Sequence, residues 1–505
     1  MKRFIQWLIG TRQDEENSKD KMSVPQLITQ MEKSSDFLRF SYKTSDGTNS
    51  YWVNYYSTLC DTNFLHRDIL HYVSNQPWNT LQQLKNSLPV EAIEISSDTE
   101  VIKEKMLSGF IFIQIGEKDP EGLLVRSSMV SERSISLPEV EYSVVGPKES
   151  FIENIDANIN LIRRRLNTPM LTIEEVTLGT VSNTKVAVLY VDDLVNKENL
   201  QYTLDKLNEV NFDHINDISY VGQLISDHEN TIFPLLIDTE RPDRVTSGLV
   251  EGKIAILVDG SPHAILGPTT LIEFFSSFED YFLNYIIASF FRIVRVFSVA
   301  FSILITPIYV AVLSYHYELI PKDLLNTLVA SRHVVPLPPI LEAIFLELTI
   351  ELLREAGARL PTKVGQTIGI VGGIVIGTAS VEAGLTSNVL LIIIALAALA
   401  SFTTPVYKMG NTIRVLRFPF LLFAEFLGLL GIVFCFCILA AHLLRLTSLA
   451  RPYLEPLYPP RVEDLKDAIL RFPISFQKKR PAFLQPQKSN RHVKNAGTRK
   501  KDIDE

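Results

Sequence analysis

Val296 to Tyr315 is a run of 20 residues with no formal charge, and Ala383 to Tyr407 is a second run of 25. As helices rising about 1.5 Å per residue, both are long enough to cross the roughly 30 Å hydrocarbon core of a bilayer. Phe418 to Leu444 is a third apolar run, interrupted by Glu425 and His442, and Val364 to Val381 adds 18 uncharged residues rich in glycine. A helix that is apolar all round belongs in a large core or in lipid, and several of them close together in one stretch of chain require lipid. Residues 283–450 are therefore expected to form a helical multi-pass membrane domain of four to five spans.

Charge is distributed unevenly around that block. The formal charge of −8 divides into −17 for 1–282, +3 for 283–450 and +6 for 451–505. With 3 cysteines and mean hydropathy of +0.14, the chain fits neither a disulfide-built secreted domain, nor a disordered protein, nor a single soluble enzyme. What remains is an acidic soluble half, a membrane half and a basic tail.

The spans have features of their own. Pro339 to Gly357 mixes apolar residues with Glu342, Glu347, Glu351, Arg354 and Glu355. Carboxylates at bilayer depth need water, protein or counter-charges around them, so an interfacial, re-entrant or pore-facing helix is expected. Glu382 is a further acid at membrane depth. Gly365, Gly369, Gly373 and Gly377 recur every four residues, with Gly372 beside them. On a helix they form a bare groove that admits a neighbouring backbone, whether for fixed packing or for a gating movement. Pro307 is expected to kink the first span. Arg292 and Arg295 stand at that span's mouth, where long basic side chains reach lipid headgroups, and they favour a cytoplasmic soluble half. The opening KRFIQWLIG carries no secretory leader pattern, which agrees with that side. The tail is ambiguous: nine Lys or Arg without an acid in 472–501 favour the inside, while Lys408, Arg414 and Arg417 before the last span imply the opposite count. The tail's charge also suits anionic lipid.

The soluble half is expected to be α/β, in two small subdomains at 26–140 and 141–282 after an N-terminal extension at 1–25. FIFIQI (110–115), KVAVLYVDD (185–193) and KIAILVDG (253–260) have the β-branched content of strands. Helices are expected over 151–166, capped by Ser150, and over 196–210. Phosphate-cradling, dinucleotide, zinc-protease and nucleophile-elbow motifs are absent. His66 and His71, with Cys60 upstream, do not share a helix face, so no metal or other cofactor is expected. Cys435 and Cys437 read as small apolar residues. No basic aromatic fold accompanies the tail, so nucleic acid is not an expected partner.

Several long segments resemble the A subunits of the nutrient (germinant) receptors of bacterial endospores. They are VVGPKESFIENIDANINLIRRRL (144–166), TERPDRV (239–245), KIAILVDGSP (253–262), PPILEAIFLELTIELLREAGARLP (338–361), GQTIGIVGGIVIG (365–377), ALASFTTP (398–405) and RVLRFPF (414–420). The resemblance covers about 140–450. It implies a spore inner-membrane complex with a permease-like B subunit and a lipoprotein C subunit, in which the A subunit oligomerises and forms an ion-conducting path. In a ring of copies, Glu347, Glu351 and Glu355, four apart on one face with Glu342 slightly off it, would become an acidic ring that attracts cations. The rival readings are an alternating-access transporter, which should show internal repeats, and a non-conducting scaffold.

Overall fold

The computed structural model describes residues 22–43, 50–75, 78–90, 92–128, 138, 141, 143–461 and 464–491, with 362–371 described by backbone alone. The KRFIQWLIG stretch and the end of the basic tail lie outside the described residues. The chain forms two compact units, 1–130 with 167–172 and 131–166 with 173–505.

The first unit is built on a five-stranded sheet, in which β1 (Phe37–Lys43), β2 (Ser50–Tyr56), β3 (Ile93–Ser96), β4 (Phe110–Gln114) and β5 (Gly122–Arg126) lie in the order β1-β2-β4-β5-β3. Alternation along β4 and β5 sends side chains to two cores. Phe112 and Leu124 meet Leu27 and Met31 of α1 (Val24–Met31) and Ile102 and Met106 of α3 (Thr99–Leu107). Ile111, Ile113, Leu123 and Val125 meet Leu81 and Leu84 of α2 (Leu81–Ser87). His66 and His71 lie in the helical stretch 62–75, Cys60 is buried, and no metal-competent cluster occurs among the described residues.

The soluble part of the second unit repeats this plan. β6 (Leu171–Leu178), β7 (Thr184–Val191), β8 (Ile237–Thr239), β9 (Ile254–Val258) and β10 (Ala264–Gly267) lie in the order β6-β7-β9-β10-β8. The strand expectations at 185–193 and 253–260 fall on β7 and β9. Helices α4 (Ile155–Arg165), α5 (Lys197–Asn208) and α6 (Pro242–Glu251) complete it. Ser150 is not the cap of α4. Residues 151–154 stay outside the helix, with the Phe151 amide donating to Glu240 O at 2.8 Å, and the Asn154 side chain accepts from the Ala157 amide. The TERPDRV segment uses its charges internally. Buried Arg241 donates to Asp243 at 2.7 Å and to Pro147 O at 3.1 Å, and Arg244 pairs with Glu141, so the segment ties down 141–151.

Helices follow: α7 (Tyr285–Tyr315), α8 (Lys322–Arg332), α9 (Pro339–Arg359), α10 (Thr362–Glu382), α11 (Asn388–Ser401) and α12 (Tyr407–Leu443). By length and composition α7 and α12 are long and apolar enough to cross a membrane. Two of the uncharged runs depart from a single rod. In 383–407 only α11 is helical, because Gly384 takes φ +67° and abuts Val334 O. Within α12, Gly428 takes φ 60° and ψ −140°, a conformation natural only to glycine, and the helix folds back there. The contacts require this hairpin. Thr412 donates to Ile232 O while His442 Nε2 lies 3.0 Å from Thr231 Oγ1, yet 30 residues of straight helix would separate them by about 45 Å. Phe423 and Phe434 face each other across the two arms, with ring centroids 5.8 Å apart.

The cross-links order the path. α7 leaves the soluble subdomain and ends at the hairpin tip, where Tyr315 donates to Glu425 O. α9 runs back, α10 out and α11 back. The first arm of α12 runs out again and the second returns. After it, the chain 444–491 folds onto the soluble subdomain. Tyr453 is buried beside Phe274, Gln487 N donates to Leu194 O at 3.1 Å, and Arg491 pairs with Glu251 at 3.1 Å. The described residues of the tail thus lie against the soluble subdomain.

Candidate functional site

Four segments of the bundle meet at an ion pair. Glu347 of α9 and Arg417 of α12 are both 2% exposed and lie 2.9 Å apart. Arg417 also donates to Ser302 Oγ of α7 at 2.6 Å and to Ala397 O of α11 at 2.9 Å, and Thr306 donates to Glu347 at 3.2 Å. Pro307 is buried beside Thr306 inside α7. Charge in an apolar bundle is tolerable only when its hydrogen-bonding capacity is filled; here serine, threonine and a helical carbonyl do most of that.

The other α9 carboxylates form a ladder with their own partners. Glu342, fully buried, takes Arg332 at 2.8 Å and the Ser387 amide at 3.1 Å. Glu351 pairs with Arg354 and lies 3.7 Å from Arg414. Glu355 pairs with Arg359 at 2.5 Å, and both side chains are largely exposed. The structure therefore brings Glu342 and Glu347 inside a single copy and leaves Glu351 part-exposed and Glu355 open. Glu382 is exposed at the opposite end of α10. Glu425, near the hairpin tip, was visible in the sequence only as an interruption. Its Oε2 is buried without a hydrogen-bond partner among the described residues.

The glycine stripe divides as well. A Cβ on Gly372 would meet Leu353 of α9 at 2.9 Å, and one on Gly377 would meet Leu391 of α11 at 3.7 Å. Among the described residues no neighbour lies within 4 Å of such an atom on Gly373, and Ile374 and Val375 beside it are 62% and 56% exposed. Gly365 and Gly369 fall in the part of α10 described by backbone alone.

Arg292 and Arg295 do not reach outward. Both turn to Asp280, which is fully buried: Arg292 Nε at 3.2 Å and Arg295 at 2.6 and 2.7 Å. Arg292 also holds Asp467 of the tail at 2.9 Å, and Arg471 donates to the carbonyls of Leu283 at 2.9 Å and Tyr281 at 3.0 Å. Tyr281 donates its hydroxyl to Asp467 at 3.0 Å. This clasp joins soluble subdomain, first helix and tail. Its distant half was not legible, because Asp467 and Arg471 are some 175 to 190 residues from their partners.

A second joint lies at β8. Asp238 is 2.9 Å from Lys408 at the start of α12 and 3.0 Å from His263. Burial opposes ionisation of Asp238, but His263 and Lys408 outweigh it and hold the carboxyl below its ordinary range, while Asp238 raises the His263 imidazole. Where the return arm reaches the subdomain, an open cleft of about 380 Å³ is lined by Lys206, Asp227, His228, Glu229, Thr231 and His442.

Comparison with known proteins places this architecture. Residues 25–483 match the profile of the family described as Bacillus/Clostridium GerA spore germination protein. The chain is 52% identical over 461 residues to spore germination protein GerQA of Bacillus cereus, covering 91% of this chain and 92% of that one. To spore germination protein GerIA of the same species it is 49% identical over 474 residues, covering 94% and 70%. Among solved structures, the N-terminal domain of the A subunit of the Bacillus megaterium spore germinant receptor GerK3 aligns at 22% identity and a TM-score of 0.36, covering 50% of this chain and 98% of that one. The chain belongs to the GerA spore germination protein family.

Proposed function

We propose that this chain is the A subunit of a nutrient-responsive germination receptor of the spore inner membrane, and that several copies gather around an axis to form a ligand-gated cation path. A permease-like B subunit and a lipoprotein C subunit are its proposed partners. No cofactor is invoked. We take α7, α9, α10, α11 and the two arms of α12 as six crossings, where the sequence led to an expectation of four to five; an even number puts the soluble subdomain and the tail on one face of the membrane, proposed to be the cytoplasmic one.

The observation that carries the reading is the outer face of α10. Gly373 is bare, Ile374 and Val375 are exposed beside it, and exposed acids stand at both ends of the path, Glu355 before the helix and Glu382 at its close. Small residues admit a neighbouring helix closely, and acids at both mouths of a shared axis would concentrate cations. The Glu342 and Glu347 pairs then serve as the rigid frame of each copy, and Glu351 and Glu355 as the part of the acidic face that remains available.

The in-chain pairing of the α9 acids supports a second reading, a scaffold that relays nutrient binding without conducting. Flux separates the two. Potassium loss from proteoliposomes holding the full chain with its proposed partner subunits, triggered by nutrient, should exceed chloride loss. Glu355→Gln with Glu382→Gln should lower that preference about threefold to tenfold, the weight of roughly 0.6–1.4 kcal/mol of local potential. Selectivity that survives both changes removes these acids from the path, and no flux from a correctly assembled chain leaves the scaffold.

A further inference from the structure

Burial in the tail segment 469–476, ILRFPISF, is inverted. Its one charged residue, Arg471, is 5% exposed, while Ile469, Leu470, Phe472, Ile474 and Phe476 are 41%, 42%, 40%, 74% and 62% exposed. In water the opposite arrangement is favoured, and a contiguous exposed apolar patch marks a surface that something apolar covers. The inversion is held in place. Arg471 spends its guanidinium on the carbonyls of Asp280, Tyr281 and Leu283, and its ring partner is Tyr281 at 5.2 Å. The backbone at Arg471 exchanges two 3.0 Å hydrogen bonds with Ser289 of α7.

Ser289 fixes the depth of the patch. It lies in the first turns of α7, beside Ile286, Phe290, Ile293 and Phe297, which are 62%, 62%, 50% and 68% exposed. The tail's apolar residues therefore continue the apolar surface of the helix at the level where it leaves the soluble subdomain. Past Gln477 come Lys478 and Lys479, both exposed. Apolar side chains followed closely by cations form the pattern of an interfacial anchor, whose rings enter the acyl boundary while ammonium groups meet anionic headgroups.

We propose that 469–479 is a membrane-dipping loop that binds the anionic phospholipid surface around the base of α7, clamping the tail and soluble subdomain to the bilayer at a fixed height. The lipid surface is the occupant because the patch is continuous with α7 and its flanking charge is positive. The proposal rests on the reading of α7 as a membrane-crossing helix.

The test uses the full chain in vesicles of phosphatidylcholine and phosphatidylglycerol, with either lipid brominated on its acyl chains. Indole fluorescence of Phe476→Trp and of Phe297→Trp is measured as the difference from the parent's own Trp7, Trp52 and Trp78. Both reporters should lose most of their emission to brominated lipid. At position 476 the loss should be greater with brominated phosphatidylglycerol, and Lys478→Gln with Lys479→Gln should abolish that preference. If the reporter at position 297 is quenched while the one at position 476 answers only to aqueous iodide, the loop is wet and the proposal fails. Shielding of the position 476 reporter from both quenchers means that protein covers the patch, which overturns it equally. A lipid preference unchanged in the lysine variant refutes the anionic recognition. An unquenched reporter at position 297 instead overturns the spanning reading of α7 on which the loop depends.

Discussion

Arg417→Ala is expected to destabilise the bundle by about 3–5 kcal/mol, because it leaves Glu347 charged and buried with Thr306 as its remaining polar neighbour. Glu347→Gln should cost a similar amount by stranding the guanidinium against Ser302 and the Ala397 carbonyl. The double change to Arg417→Met with Glu347→Leu should recover most of the loss, since breaking a buried pair costs far more than replacing it with apolar groups of similar volume. Thermal unfolding of the purified chain in detergent measures all three. A single variant as stable as the parent, or a double variant no better than the sum of the singles, would show that the two groups do not meet. If they do, Glu347 is frame rather than pore, and changes in selectivity should be sought at Glu351, Glu355 and Glu382.

The second large effect is at Asp280. Asparagine there removes the one full charge that faces Arg295 among the described residues and half of the charge facing Arg292, at a site closed to solvent. A loss of about 3–5 kcal/mol is expected, with the tail loosening first, because Asp467 and Arg471 bind through the same cluster. Limited trypsin digestion reads this directly: Asp280→Asn should be cleaved after Lys478 and Lys479 faster than the parent. Equal cleavage rates with equal unfolding temperatures would mean that the clasp is decorative.

How much of this was legible depends on the range of the interaction. The α7 span could be read because absence of charge over twenty residues is a local property, and β4, β7 and β9 could be read from branched residues between turns. The four-residue spacing of Glu347, Glu351 and Glu355 was equally local, and it falls on the single helix α9. Their partners were not local: Arg417 lies 70 residues from Glu347, and nothing in helical periodicity selects it over Arg354 or Arg359. Gly428 has the same difficulty. It sits in an apolar run near Gly431, and only the pull of Thr231 and Ile232 on the two ends of α12 decides which glycine turns the chain. Ser150 and Asn154 are both good caps; the Phe151 bond to Glu240 settles the choice from across the subdomain. By composition the tail reads as a basic arm suited to anionic lipid, yet Tyr453, Phe483 and Leu484 are buried between its charges. Arg292 and Arg295 stood where headgroup contacts are usual, and a carboxylate twelve to fifteen residues upstream captured them instead.

The account turns on whether copies of this chain surround an aqueous path. Purified full-length chain, its copy number counted by single-molecule photobleaching in the same planar bilayer that records current, tests this most directly. Several copies per conducting spot with discrete cation-selective steps is the predicted result; single copies, or assembled copies that pass no current with the partner subunits and nutrient present, would contradict it.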